Sequence, residues 1–183
     1  MPDAFTALAP APATPAPPPA AFSLSGTLSH LAPLLGTADA AVDELRTVFA
    51  GDRRPSRTTY ARLVDSPLAR QRFARAERGV DRALRDTLRI AETVEAAGPG
   101  FAPTPAERTA MRLDLAEAAA ACRAALEDLL DLRGAGGFLL DQRLQRSWRD
   151  IAVGTRYTGL NPYVAEEDHA AATLGVGSPI SLV

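Results

Sequence analysis

Lysine is missing altogether: all 20 basic side chains of this 183-residue chain are arginine. With its abundant alanine, proline and glycine, the bias reads as GC-rich coding. Acids outnumber bases by two, so no global field favours nucleic acid as a partner. A single cysteine, Cys122, excludes an internal disulfide framework and suits a reducing cytoplasm. Its neighbours Ala118, Ala119 and Leu126 make it read as a small buried hydrophobe on a helix face. The two histidines, His30 and His169, come with no HxxxH, CxxC or paired-carboxylate spacing, so no metal is expected. No apolar run approaches the ~20 residues of a membrane span, and no basic segment followed by an apolar one marks a secretory leader. The expectation is a cytoplasmic protein with no membrane partner.

What is present is a large apolar fraction, 46%, of which only six Phe, three Tyr and one Trp are aromatic. Such a composition favours helices packed closely through small residues over a sheet core. Pro2 to Ala20 is a low-complexity Pro/Ala tract whose prolines favour extended polyproline II and remove backbone donors. Residues 1–20 are therefore expected to be a disordered tail or linker, and 21–183 a helical bundle.

Four helices can be marked. The first runs from about Phe22 to Ala50, with a kink or restart at Pro33. A polar connection, Gly51 to Asp65, follows. The second opens at Ser66-Pro67, a cap followed by a proline tolerated in the first turn, and stops at Gly98-Pro99-Gly100. Thr104, Pro105 and Glu107 form a capping box that starts the third, which Gly134 ends. The fourth spans roughly Asp141 to Gly159, and Asn161-Pro162 breaks it before a short helix from Tyr163 to Leu174. The expected class is all-α: a four-helix antiparallel bundle with a short C-terminal helical extension.

Two features could carry chemistry. Gly134, Gly136 and Gly137 can simply end a helix, or can let a ligand's phosphate or ring approach the backbone. No strand precedes them, so they are not a dinucleotide fingerprint. Arg75, Arg78, Arg82, Arg85 and Arg89 stack along one face of the second helix, either as a solvated surface offset by Glu77, Asp81, Asp86 and Glu92 or as a face for an anionic partner.

From Ser66 onward, and more loosely from Leu24, the chain resembles the C-terminal domain of acyl-CoA dehydrogenase-like proteins. Leu144-Gln145-Arg146-Ser147-Trp148-Arg149-Asp150 looks like the LQRxWRD motif of the branch containing two-component flavin-dependent monooxygenases. Gly134, Ala135, Gly136, Gly137 and Phe138 stand where the family has a loop that touches the flavin of a neighbouring subunit. The resemblance implies reduced FMN or FAD shared with a partner chain and delivered by a separate flavin reductase. It implies cofactor contacts from that loop and Arg149, a substrate pocket near Trp148 and Thr158, and catalytic positions at Tyr157 and Asn161.

Two departures qualify the activity. Thr158 stands where many dehydrogenases place a catalytic glutamate, and a hydroxyl cannot abstract an α-proton as a carboxylate does. Tyr157 stands where monooxygenase relatives often have histidine; its phenol titrates near 10 and is a poor base at neutral pH. The family's N-terminal helical and β-barrel domains have no counterpart in these residues. The reading is one component of a split monooxygenase in a homo- or hetero-oligomer, with a separate chain supplying those domains. The alternative is a non-catalytic scaffold or stabilising subunit that kept the bundle alone.

Overall fold

The computed structural model describes residues 20–176 and residue 180. Five helices make up the fold, with no strand among the described residues: α1 (Ala20–Ala50), α2 (Pro67–Ala97), α3 (Pro105–Arg133), α4 (Arg143–Gly154) and α5 (Pro162–Leu174). The expected Pro/Ala tail lies outside the described residues, apart from Ala20, which opens α1.

Local chemistry sets the ends. Ser66 caps α2 by accepting from the Ala69 amide at 3.3 Å, and Pro67 fills the first position. The capping box of α3 is complete: Thr104 Oγ1 accepts from the Glu107 amide, and Glu107 Oε2 accepts from the Thr104 amide at 2.8 Å. Asn161 Oδ1 accepts from the Tyr163 amide at 3.1 Å and caps α5. α1 runs unbroken through Pro33. Pro33 and Ser29 are both exposed, so the carbonyl that proline leaves without its helical donor faces water.

α3 is the central element; it packs against all four other helices, and α1 also touches α2 and α4. Leu45, Ile90, Leu115, Leu126, Leu129 and Leu144 are fully buried at the shared core. Ala38, Ala41, Ala76, Ala83 and Ala119 are buried between them, the small-residue packing that the composition implies. Arg78 and Arg85 share Asp81 on the exposed face of α2, whereas two other arginines of the row bridge to the neighbouring helix. Arg75 binds Asp128 through Nε at 2.7 Å and Arg89 binds Asp114 at 2.8 Å, both acids belonging to α3.

One ion pair is fully inside. Arg112 of α3 and Asp168 of α5 meet at 2.9 Å, both almost inaccessible, and Asp168 Oδ1 also accepts from the Ile180 amide at 2.8 Å. This pair ties the C-terminal helix to the bundle. α4 is shorter than the sequence pattern suggests. The buried Thr155 Oγ1 bonds the Ile151 carbonyl at 2.6 Å, and the chain then turns through a single 3-10 turn, Thr158–Leu160, to reach the α5 cap.

Candidate functional site

Two clusters form, one at each end of α4, whose 12 residues span about 18 Å. The first surrounds the glycine loop. Gly134 ends α3 at φ +70°, a left-handed conformation that costs glycine little, and the chain continues through the turn Ala135–Phe138. Gly137 is needed for a different reason: a Cβ there would come within 2.8 Å of Arg133 Cγ. At Gly136 a Cβ would meet nothing within 4 Å, so this backbone stands open.

Gly134, Ala135 and Gly136 line a cleft of about 840 Å³ together with Arg53, Ser56, Ser66, Arg72 and Arg133. Arg72 is neutralised by Asp131 and Asp128. Arg53 and Arg133 have no carboxylate partner among the described residues. Arg53 Nη2 donates to the Arg133 carbonyl, and Arg133 Nη2 donates to Gln142 Oε1 at 3.0 Å. Two donors, Arg53 Nη1 and Arg133 Nε, are buried without any acceptor. Burial first, and the charge of Arg133 second, hold Arg53 below the usual arginine value. An anion in this cleft would offset the two like charges of Arg53 and Arg133.

The second cluster is the turn after α4. His30 of α1 stacks on Tyr157, ring centroids 4.3 Å apart, and its Nε2 lies 3.0 Å from the Gly154 carbonyl. A carbonyl only accepts, so Nε2 carries the proton and, in the neutral ring, Nδ1 is left as an acceptor. Tyr157 is 42% exposed. Thr158 is exposed beside it, while Asn161 spends its side-chain oxygen on the α5 cap.

Trp148 belongs to the first cluster. Its indole meets Phe138 edge-on at 5.6 Å and donates to Glu127 at 2.7 Å. Arg149, on the same short helix, is exposed and makes no hydrogen bond or ion pair with the other described residues.

The sequence matches the family described as acyl-CoA dehydrogenase, C-terminal domain, over residues 28–162. The chain belongs to that family. Among solved structures, XiaF from Streptomyces sp., crystallised with FADH2 and glycerol, is 26% identical with a TM-score of 0.79 over 87% of this chain. The 3-HSA hydroxylase of Rhodococcus sp. RHA1 has 22% identity and a TM-score of 0.71 over 88% of the chain. The HsaA monooxygenase of M. tuberculosis has 22% identity and a TM-score of 0.70 over 88%. This acyl-CoA dehydrogenase-type bundle spans only about two-fifths of each of those structures, 40%, 40% and 41%. No curated protein matches the chain.

Within this family member the expected site residues fall into separate places. Gly134, Ala135, Gly136, Gly137 and Phe138 form one loop against Trp148; Tyr157, Thr158 and Asn161 form the other turn; Arg149 joins neither. Sequence reasoning missed Arg53, Arg133 and His30. Arg53 lies 80 positions from Arg133, and His30 lies 124 from Gly154. No local pattern could pair them: the run around Arg53 reads in sequence only as a polar connection. Among the described residues no helix is long and apolar enough to cross a membrane, and no three metal-ligating side chains cluster.

Proposed function

We propose that the chain is one component of a split, acyl-CoA dehydrogenase-fold flavin-dependent monooxygenase. In this reading residues 21–183 complete the flavin and substrate site of a partner chain and mediate oligomerisation. A separate polypeptide supplies the N-terminal helical and β-barrel domains, and a reductase delivers reduced FMN or FAD. The carrying observation is the cleft at Gly134–Gly136, lined by Arg53 and Arg133, neither of which holds a carboxylate among the described residues. Guanidinium groups beside open backbone suit a flavin's phosphate oxygens. Bound reduced flavin supplies the two electrons that activate dioxygen.

The residues of this chain then have distinct tasks. Arg53, Arg133 and the glycine backbone hold the phosphate end. Arg149, without a hydrogen bond or ion pair among the described residues, would contact flavin bound mainly by the other chain. Trp148 and Thr158 wall the substrate space and help keep water out. Tyr157 hydrogen-bonds and orients substrate, with Asn161 beside it. His30 holds the Tyr157 ring in place.

Co-expression with a neighbouring gene encoding the missing domains tests the reading. The expected result is copurification, FMN or FAD binding and flavin-dependent oxygenation. Arg53→Gln and Arg133→Gln should each weaken flavin binding about tenfold or more, the usual loss for one charge-assisted hydrogen bond. Absence of copurification and of turnover in the mixture overturns it.

The scaffold reading is favoured by one observation: Asn161 Oδ1 is committed to the α5 cap. Unchanged turnover in Tyr157→Phe and Arg149→Ala complexes would select it.

A further inference from the structure

A second cleft, about 370 Å³, lies between α3 and the start of α5, lined by Arg123, Thr155, Arg156, Asn161, Pro162 and Tyr163. Its charge is uncompensated. Arg72, Arg75 and Arg89 elsewhere in the bundle each hold an acid. Arg123 and Arg156 hold none among the described residues; Arg123 Nη1 donates to the Thr155 carbonyl at 3.3 Å, and Arg156 Nη1 donates to the Ala152 carbonyl. Each guanidinium carries five donors, so most remain available.

The two cations also oppose each other. Burial and then the Arg156 charge lower Arg123 from the usual arginine value, while the Tyr163 phenol acts in the opposite sense. Folding has brought two like charges into one half-enclosed space with no counter-ion among the described residues, which is the electrostatic complement of an anion. The positive end of the 13-residue α5 adds to the same field. Pro162 and the exposed Tyr163 line the same cleft and are its residues with apolar surface to offer. Its volume lies in the range of small-molecule sites and exceeds what a bare inorganic ion fills.

We propose that this cleft binds a small organic oxyanion, its charged head between Arg123 and Arg156 and its apolar body along Pro162 and Tyr163. The site is separate from the glycine-loop cleft but shares Asn161 with the substrate turn of the proposed function; anion binding by this chain alone, without flavin or partner, distinguishes the two readings.

Calorimetric titration of the full chain with phenyl phosphate, benzoate, inorganic phosphate and neutral benzamide tests it. Saturable binding of phenyl phosphate or benzoate, with none for benzamide, is the expected result; the tighter of the two names the head group. Arg156→Gln, a change at an exposed side chain that spares the core, should weaken binding about tenfold or more, and Arg123→Gln likewise. Arg146→Gln, on the exposed face of α4, should leave it unchanged. No saturable binding of either organic anion overturns the proposal, as does binding indifferent to both Arg156→Gln and Arg123→Gln. Inorganic phosphate binding as tightly as phenyl phosphate overturns the role given to Pro162 and Tyr163.

Discussion

At the scale of single residues, Cys122 illustrates how burial alone sets chemistry. It lies inside α3 with no exposed surface, and burial pushes its thiol up from 9.0 to about 12. The thiol therefore stays protonated in the folded chain at pH values where the unfolded chain ionises. A raised folded value gives stability that is complete below pH 9 and is lost as pH rises from 9 toward 12. Urea unfolding should show the native protein losing ~1 kcal/mol between pH 8 and pH 10 from this group. In Cys122→Ala that increment should vanish; an equal alkaline loss in the variant would assign it to other groups. The sequence already pointed to a buried thiol, because small apolar neighbours recur at helical spacing around it. The surroundings of Arg53 and Arg123 could not be read in the same way, since what distinguishes them is that no acid among the described residues pairs with either in three dimensions.

At the scale of elements, caps were legible and helix continuity was not. Ser66, Thr104-Glu107 and Asn161 act within four residues of sequence, so their hydrogen bonds follow from local order. Pro33 promised a kink or a restart; α1 does not restart there, because its buried leucines, Leu31, Leu34 and Leu35, pack on the core on both sides of the proline. The helix tolerates the lost hydrogen bond at a solvent-facing carbonyl. Pro33→Ala should therefore raise stability by about 1–3 kcal/mol, measured by urea or thermal unfolding. No gain would mean that the proline compensates by restricting the unfolded chain. α4 ended early for the converse reason: periodicity carries Leu144, Trp148, Ile151 and Thr155 inward, but the Asn161-Pro162 cap requires an extended residue before proline and the chain must turn to supply it.

At the scale of the whole molecule, the bundle leaves apolar surface uncovered beside the glycine loop. Phe138, Leu139 and Leu140 are 48%, 58% and 84% exposed in a row. Consecutive exposed hydrophobics next to a cleft suit a chain that completes another's site. If the partner covers them, Leu140→Ser should weaken copurification about tenfold, since a fully buried leucine contributes roughly 1.5–3 kcal/mol. The melting temperature of the chain alone should not change. Undiminished copurification would place the partner on another face.

The sequence by itself determined the all-α class, the caps, the buried face of α3 and the family, because these depend on residues close along the chain or on motifs that can be read in order. Only the tertiary structure decided which arginines are neutralised. Arg75 and Arg89 find acids on α3, whereas Arg53 faces Arg133 and Arg123 faces Arg156, across separations that no periodicity encodes. Electrostatic energy depends on distance in space and on local burial. An arginine row therefore reads alike in sequence whether it is a solvated surface or a site that lacks an anion.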